Sequence, residues 1–573
     1  MVAEACNGFG KTACSLSAAL TLNRKIIYAT RTHEQARQVL NEVKTINKHA
    51  DTAFSAVTLA SREHLCMNRK CNGLAAAEAA EACRLLRAKE ECRYRWNLEE
   101  SPRSLPRILS VPTLRKLGMR EKICPYFAAR KASEGFNIVV APYQYIFNKA
   151  VREKTKLALT GKTLIFDEAH NADKVGLDAL SDRLSERSIR NAEEELSNIG
   201  ERFDFLDRLS GYLTAATGPV KSGSDFNKDI RRLVDLEDST EGETSGFLEQ
   251  FPMLVEEIRE YKLERDQSPG CYFNGVLGFL SLVLCSRPEC FVAVFRTSQA
   301  GFKYVEYRCL DPSLAVKPVL DMAGGTLIMS GTLSPLELFA NVVGVEEAEV
   351  KAYTAIANPE NVSTTVDTTV STQFRRRDDD MILRYGTRIL GQMEPVPKGV
   401  LIFFPQRKLL DRAVNLWAYN GILQRKRDGS TLGSRRLFIE GRNAEENRKT
   451  LEAYRKAARR RGAVLLSVFR GRNAEGTNFP DDEARAIFLV GVPYADYSDP
   501  VVRAQIDYFN RKADSLGRAW YLMDAFRAAN QALGRGIRHR DDSCRFILMD
   551  TRYKSNIRMV AQWAISNEVK LVN

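Results

Sequence analysis

The sequence predicts an α/β fold arranged as two lobes, each built of alternating strands and helices. Three observations support this prediction. The chain opens on a short apolar stretch, a glycine-containing turn and a helical pattern, in that order. A later apolar strand, Thr163 to Phe166, ends in adjacent acidic residues. Closer to the carboxyl end, Leu465 to Tyr494 contains two apolar strands around a loop rich in glycine and arginine. Strands that alternate with helices along the chain are typical of α/β domains.

Length and charge narrow the function classes. A chain of 573 residues is long enough for roughly three or four domains. It carries 85 lysines and arginines against 72 aspartates and glutamates, a net charge of +13, which favours a polyanionic partner such as nucleic acid. The sequence has no apolar run of about 18 residues and no signal-peptide pattern, so we expect a soluble, intracellular protein without membrane contact.

The opening turn matches a phosphate-binding loop. It reads ACNGFGKT from Ala5 to Thr12, with alanine where the pattern has its first glycine. Gly8 and Gly10 let backbone N–H groups surround a phosphate. Lys11 can reach the β and γ phosphates, and the Thr12 hydroxyl can ligate Mg²⁺. Because such a loop normally follows a strand inside a preformed sheet, we expect the parent protein to contain residues ahead of this start.

A pair of carboxylates follows the strand Thr163 to Phe166. The letters DEAH place Asp167 and Glu168 at its carboxyl end, with His170 two residues on. A P-loop ATPase needs one acid to hold Mg²⁺ and one to orient and polarise the attacking water. An acidic strand end alone is more often a solvated loop, but together with Lys11 it favours an ATPase site.

Arginines near the carboxyl end complete the predicted site. The segment QALGRGIRHR carries Gln531, Arg535 and Arg538 at spacings of four and three, which predicts one helix with all three on one face. Arginines on a helix are commonly solvated. In a two-lobed ATPase, however, they can reach across the cleft to stabilise charge on the γ phosphate.

Five of the twelve cysteines fall within residues 66–124, a segment that lies between the phosphate loop and the DEAH letters. In a reducing compartment such a group points to metal or catalysis rather than to disulfides. Four thiolates can hold an iron–sulfur cubane at uneven spacing. Structural zinc remains an alternative, although zinc sites usually use short C-x₂₋₄-C pairs and the one close pair is Cys66 with Cys71. The five are Cys66, Cys71, Cys83, Cys92 and Cys124.

In their order along the chain, these motifs resemble those of superfamily 2 DNA helicases, and within them the XPD family of iron–sulfur helicases. The resemblance covers residue 5 to about residue 552, nearly the whole chain. In this chain the matching segments are residues 5–12 for motif I, YATRTHEQARQV from Tyr28 for Ia, Asp167 to His170 for II, Leu327 to Pro335 for III, Gly399 to Gln406 for IV, Leu465 to Tyr494 for V, and the arginine segment for VI.

The resemblance implies a domain organisation and a set of cofactors. Two RecA-like motor domains are implied, with a cluster domain and a mostly helical Arch domain inserted in the first. The implied ranges are 1–60, 131–174 and 286–345 for the first motor domain, 61–130 for the cluster domain, 175–285 for the Arch and 346–573 for the second motor domain. ATP, Mg²⁺ and a [4Fe–4S] cluster are the implied cofactors. Cys66, Cys83, Cys92 and Cys124 match the cluster ligands, and Cys71 competes with Cys83 for a place in this set.

The implied activity is that of an ATP-dependent helicase that moves 5′ to 3′ on single-stranded DNA, in nucleotide excision repair. Single-stranded and forked DNA are the expected partners of a monomer, with repair or transcription factors as further partners in a nucleus or nucleoid. Two alternatives stay open: a non-catalytic DNA scaffold or damage sensor, and a DEAH-type RNA helicase, which would give the cysteines no role. We expect contacts to the DNA strand from motif Ia and from the basic and aromatic residues around the cysteines. These residues are Arg31, Thr32, Arg62, Arg93 and Tyr126.

Overall fold

We describe the chain from a computed structural model, which covers residues 1–22, 25–99, 105–216, 218–354, 356–373, 378–426, 429–565 and 569–573. None of the helices in these ranges is long and apolar enough to cross a membrane. The strands in these ranges, numbered β1 to β21 in chain order, are Val2–Glu4, Ile26–Thr30, Ala56–Thr58, Ile108–Leu109, Ile138–Pro142, Thr163–Asp167, Asp182–Ser185, Val220–Ser222, Phe291–Thr297, Lys303–Cys309, Gly325–Ser330, Val350–Ala352, Val362–Asp367, Gly399–Phe404, Leu423–Lys426, Gly429–Leu432, Arg435–Ile439, Ala463–Val468, Ala486–Val490, Cys544–Met549 and Lys570–Val572.

The α-helices of the same ranges are numbered α1 to α25. They are Lys11–Thr21, His33–His49, Arg62–Leu65, Ala76–Ala88, Arg93–Glu99, Val111–Glu121, Pro125–Gly135, Tyr143–Phe147, Lys149–Thr155, Ala172–Ala179, Glu186–Ser197, Asp204–Ala215, Gly223–Leu233, Glu241–Glu249, Pro252–Glu264, Tyr272–Cys285, Ser313–Asp321, Leu336–Val342, Asp379–Met393, Arg407–Tyr419, Ala444–Arg461, Arg472–Glu475, Pro500–Lys512, Leu516–Leu533 and Thr551–Ser555. Short 3₁₀ turns lie at Ala169–Asn171, Pro288–Cys290, Pro359–Asn361, Asp481–Glu483, Ile557–Met559 and Gln562–Ala564.

The first lobe is an eight-stranded parallel sheet in the order β12-β1-β11-β6-β2-β5-β3-β4. Its central strands are buried apolar runs, as expected for a sheet covered on both faces. Because all strands run the same way, the loops after β1, β6 and β11 meet at one edge of the sheet. That edge carries the phosphate loop and the DEAH residues.

The second lobe is a nine-stranded sheet in the order β15-β16-β17-β18-β14-β19-β20-β13-β21. All pairings in it are parallel except those of the β15–β16–β17 edge. Helix α24 is buried along most of its length between this sheet and the first lobe. Two lobes of this construction confirm the predicted α/β class.

The region inserted after the DEAH residues has its own core and its own sheet. Helices α11 to α16 pack on a four-stranded antiparallel sheet in the order β7-β10-β9-β8. Since β9 and β10 belong to this sheet, the unit extends past the expected limit at residue 285 to about Cys309. Likewise β12, which pairs with β1, lies beyond the expected limit of the first lobe at 345. Long-range strand pairing sets both limits, and local periodicity does not show it.

The cysteine-bearing segment contacts this inserted unit through charged side chains. Glu81 and Arg84 lie on α4, and Glu256 and Arg259 lie on α15. Arg84 pairs with Glu256, and Arg259 Nε lies 3.0 Å from a carboxylate oxygen of Glu81. Arg259 is buried, which makes this contact a fixed part of the fold rather than a solvated surface pair.

Candidate active site and cysteine cluster

The phosphate loop joins β1 to α1 and is shaped by two glycines. Gly8 and Gly10 have φ of 80° and 83°, which only glycine adopts without strain. Lys11 Nζ donates to the carbonyl oxygens of Ala5 at 2.9 Å and Cys6 at 3.0 Å, so the ammonium lies inside the loop. A Cβ on Gly8 would lie 1.9 Å from the Arg538 carbonyl oxygen. Gly8 is therefore also the point where the second lobe approaches the loop.

Asp167 ends β6 and lies in the floor of the cleft. Its side chain accepts hydrogen bonds from the Glu168 backbone N–H at 3.0 Å and from the Tyr28 hydroxyl at 3.3 Å. Burial, and then the charge of Glu168, raise the pKa of Asp167. Lys11 opposes this shift. A carboxylate in this position could bind a divalent cation. The positive charge of the cation would offset the cost of burying the ionised carboxylate.

Glu168 stays ionised beside Asp167. It has a φ of 54°, an uncommon backbone conformation for a residue other than glycine, and this turns its carboxylate into the cleft. The Ser330 hydroxyl donates to Glu168 Oε2 at 3.2 Å, and His170 Nδ1 lies 3.2 Å from the same oxygen. Burial alone would raise the pKa of Glu168, but the hydrogen bond and charge of His170, with Lys11 and Arg535, outweigh it and lower the pKa. An ionised carboxylate held in this way can orient and polarise a water molecule.

The second lobe delivers Gln531, Arg535 and Arg538 to the same cleft, but not as the sequence predicts. Helix α24 ends at Leu533, so the prediction that all three share one helical face is wrong. The chain turns at Gly534 and Gly536, and a Cβ on Gly536 would lie 2.6 Å from the Cys544 sulfur. The three side chains converge because of this tight turn. Spacing along a helix is not the cause.

Arg538 has a guanidinium group that needs a partner. Its Nε and Nη2 atoms are buried and make no hydrogen bond to any described residue. Burial, and then the nearby charge of Arg535, lower its pKa to about 10. Arg535 itself donates to the carbonyl oxygens of Gln531 and Thr477, both at 3.2 Å. A buried cation without an anion is costly, so this site is built to receive a negative charge such as a phosphate oxygen.

A cavity of about 860 Å³ connects these groups. Lys11, Thr12 and Glu168 line it from the first lobe and Gln531 and Arg538 from the second. This volume is in the range of roughly 300–1,000 Å³ that small-molecule sites occupy. The cavity is thus lined by the residues that the sequence predicted for ATP and for catalysis, with the exception of Ala5. Ala5 is buried under the loop, where its carbonyl oxygen accepts from Lys11.

Two of the residues predicted to contact the DNA strand, Arg31 and Thr32, lie at the rim of this cavity. Arg31 Nη1 lies 3.3 Å from Glu475 Oε2 in the second lobe and 3.4 Å from the Asn171 amide oxygen. Thr32 caps α2, where its hydroxyl accepts from the Gln35 backbone N–H. Arg31 therefore bridges the two lobes in this structure, and Thr32 holds the start of the helix beside it.

Sequence reasoning missed a buried ion pair between the lobes. Arg527 on α24 donates to Asp173 at 2.6 Å and to the His170 carbonyl oxygen at 3.2 Å. Next to it, Asp524 pairs with Arg470 at 2.6 Å and with Lys174 at 3.3 Å. These residues tie the helix after the DEAH letters to α24. Asp173 and Arg527 lie 354 positions apart in the chain, so the only sequence signal was the charge of residues on an otherwise apolar helix.

The five cysteines between residues 66 and 124 meet in one place. Cys71, Cys83 and Cys92 form a buried group against which Cys66 packs. The pKa of Cys124 is raised to about 12, first by burial and also by the nearby Cys83 and Cys66. A hydrogen bond with Cys71 lowers the pKa of Cys66. The structure therefore brings all five thiols together. The group includes both Cys71 and Cys83, which compete for one ligand position of the predicted cluster.

Aromatic rings and arginines surround this group. Arg62 lies 4.0 Å from the centre of the Tyr126 ring, and its buried Nε makes no hydrogen bond to a described residue. Tyr126 is only 5% exposed, so its ring is a core element that supports Arg62 and has no face free to stack on a base. Arg93 is exposed beside Tyr94. Among the expected strand contacts here, Arg62 and Arg93 can approach a phosphate, whereas Tyr126 cannot reach a base as it stands.

Two family models match the chain on either side of the cleft. The DEAD_2 model matches residues 28–189, and the model described as the helicase C-terminal domain matches residues 389–567. The solved structure of an XPD helicase covers 100% of this chain, and the chain covers 96% of that structure, with a TM-score of 0.63 and 21% identity. In both matched segments and in its fold, the chain is similar to the XPD-like helicases of superfamily 2. Its enzyme class is that of the ATP-dependent DNA helicases.

Several curated helicases resemble this XPD-like chain over most of its length. The ATP-dependent DNA helicase chl1 of Schizosaccharomyces pombe is 28% identical over 95% of this chain and 72% of its own length. The XPD subunit of the general transcription and DNA repair factor IIH of Dictyostelium discoideum is 24% identical over 96% and 82%. The regulator of telomere elongation helicase 1 homolog of Drosophila yakuba is 26% identical over 94%, and the chain spans 62% of that protein. The S. tokodaii Xpd4 structure shares the fold with a TM-score of 0.55 at 14% identity.

Proposed function

We propose that this XPD-like helicase hydrolyses ATP to move 5′ to 3′ along single-stranded DNA and separates forked duplex DNA during nucleotide excision repair. One observation carries the motor part of this proposal. Lys11, Asp167 and Glu168 of the first lobe share a cavity with Arg535 and Arg538 of the second. Both halves of the site are needed to bind one nucleotide, so binding and hydrolysis would change how the lobes sit against each other.

Each residue of the cavity has a distinct role in this proposal. Gly8 and Gly10 expose backbone N–H groups to the phosphates, and Lys11 leaves its carbonyl partners for the β and γ oxygens. Thr12 and Asp167 would hold Mg²⁺, which when bound offsets charge on the phosphate oxygens. Glu168 orients the attacking water. Arg535 and Arg538, assisted by Gln531, stabilise charge on the γ phosphate as it leaves.

The cysteines would hold a [4Fe–4S] cluster through Cys66, Cys83, Cys92 and Cys124. Tetrahedral zinc would bring its sulfur ligands to within about 3.8 Å of one another. Four thiolates at uneven spacing along the chain suit a larger group that binds each thiolate at a separate iron. The buried, unpaired Nε of Arg62 provides a donor near such a group. The cluster would hold its domain together beside the strand and supply a redox centre.

The path of the DNA strand follows from the same residues. We propose Arg31 and Thr32 at the cleft rim and Arg62 and Arg93 near the cysteines as phosphate contacts, because each is basic or polar and lies at or near the surface. The helical insertion, which contacts the cysteine segment through Arg84 and Glu256, would close this path. Monomeric action, partners among repair or transcription factors and a nuclear or nucleoid location complete the proposal.

Replacing one lysine tests the motor. Lys11→Ala is expected to reduce DNA-stimulated ATP hydrolysis by about 10³-fold, since no other side chain of the loop offers a cation to the β and γ phosphates. Lys48→Ala, a change of the same type on the exposed end of α2, is the matched control and should leave the rate unchanged. Equal ATPase rates in Lys11→Ala and the unmodified chain would favour the scaffold or damage-sensor alternative.

A further inference from the structure

The loop that follows β11, residues 331–335, lies directly against the phosphate loop. Glu4, at the end of β1, is fully buried and accepts hydrogen bonds from the backbone N–H groups of Leu333 at 2.6 Å and Ser334 at 2.7 Å. A Cβ on Gly331 would lie 3.3 Å from the Ala5 carbonyl oxygen. One side of the 331–335 loop is therefore fixed to the strand that carries the phosphate loop.

The residue before this loop contacts the carboxylate proposed to orient water. Ser330 ends β11, and its hydroxyl lies 3.2 Å from Glu168 Oε2 and 2.8 Å from His170 Nδ1. Ser330 is fully buried, so water cannot replace either contact without a rearrangement. A displacement of the 331–335 loop would therefore displace Ser330 and change the hydrogen bonding of Glu168.

The other side of the loop is held by the second lobe. The indole Nε1 of Trp563 donates to the Gly331 carbonyl oxygen at 2.7 Å, across 232 positions of sequence. Trp563 is 1% exposed and packs edge-on against Phe546 of β20, with ring centres 6.2 Å apart. Because donor and acceptor are both removed from water, loss of this contact would leave two buried polar groups without partners.

The segment that carries Trp563 is tied in turn to α24. Asn530, which is fully buried, donates its amide N–H to the Met559 carbonyl oxygen and accepts from the Ala561 backbone N–H, both at 3.0 Å. Asn530 is the neighbour of Gln531, which lines the nucleotide cavity. The contacts therefore run without a gap from α24 through residues 559–563 to the 331–335 loop and on to Glu168.

We propose that Trp563 is a positioning residue, which aligns Glu168 with the water it acts on only when the second lobe is correctly seated. The inference rests on the proposed function, because the reaction that it tunes is ATP hydrolysis. Trp563 touches neither the nucleotide cavity nor the catalytic carboxylates. It acts through Gly331 and Ser330.

The chain offers a matched pair of variants to test this role. Trp563→Phe keeps an aromatic ring and removes the N–H donor. Trp417→Phe makes the same change to a fully buried indole that donates to the Ile382 carbonyl oxygen at 2.8 Å, inside the second lobe and away from the cleft. Both variants lose one buried hydrogen bond, so they should lose similar stability.

Two measurements on the purified full chain separate positioning from stability. With single-stranded DNA, Trp563→Phe should reduce kcat for ATP about tenfold and change KM less than twofold, whereas Trp417→Phe should change neither. Hydrogen exchange of a peptide spanning residues 326–336 should become about tenfold faster in Trp563→Phe only, at the Leu333 and Ser334 amides.

The outcomes are distinct. Equal kcat in Trp563→Phe and the unmodified chain, or equal losses in the two variants, would overturn the proposal, as would unchanged exchange at residues 326–336. If the unmodified chain hydrolyses no ATP, the proposed function fails. The exchange comparison then still decides whether Trp563 holds the 331–335 loop.

Discussion

The nucleotide cleft and the cysteine cluster are both buried sites, but they gather their residues differently. The cleft draws single residues from segments as far apart as Lys11 and Arg538, and each has chemically different neighbours. The cysteine cluster draws five identical side chains from residues 66–124. Position alone therefore separates the roles in the cleft. In the cluster it does not, because Cys71 and Cys83 carry the same thiol and belong to one buried group.

Removal of the unpaired cation should give the largest effect in the cleft. Arg538→Ala is expected to slow ATP hydrolysis by about 10³-fold, since Arg538 lines the cavity and its buried Nε and Nη2 atoms have no partner among the described residues. Arg540→Ala, two residues on and exposed, is the control and should keep the full rate. A rate for Arg538→Ala within twofold of the control would mean that the cleft does not bind phosphate at this arginine.

Metal analysis resolves the ambiguity in the cluster. After anaerobic purification, Cys83→Ser should lose more than half of its bound iron and of the visible absorbance near ~400 nm, because a hydroxyl is a poor ligand for iron in such a cluster. Cys71→Ser should keep both, and Cys285→Ser, an exposed cysteine on α16, serves as the control. The reverse result, with iron lost from Cys71→Ser only, would exchange the two residues in the ligand set. Stoichiometric zinc without iron would replace the cluster with a zinc site.

Loss of the buried ion pair between the lobes should have a smaller effect than the two preceding changes, and the effect should appear in the free energy of unfolding. Asp173→Ala leaves Arg527 buried without its carboxylate and should lower the free energy of unfolding by about 3–5 kcal/mol. Glu34→Ala breaks the exposed pair with Arg37 and should cost less than about 1 kcal/mol. Urea denaturation followed by circular dichroism compares the two. Similar losses would show that the lobes do not depend on this pair.

The sequence predicted the cleft better than the architecture around it. Lys11 and Asp167 lie where strand and loop chemistry place them, because phosphate loops and acidic strand ends have few structural solutions. The end of α24 was missed, since Gly534 and Gly536 interrupt a pattern that spacing alone reads as continuous helix. The pair Asp173–Arg527 and the contact of Trp563 depend on which segments meet in space, and no local pattern encodes that. The expected role of Tyr126 was not supported because burial, which sequence spacing does not reveal, covers its ring.

Strand separation by the iron-loaded chain tests the central claim most directly. With ATP and Mg²⁺, the protein should unwind a duplex that carries a 5′ single-stranded tail and leave the same duplex with a 3′ tail intact. Lys11→Ala should unwind neither substrate. Unwinding that persists in Lys11→Ala, or none on either substrate in an unmodified chain that retains its iron, would contradict the account of this molecule as an ATP-driven helicase.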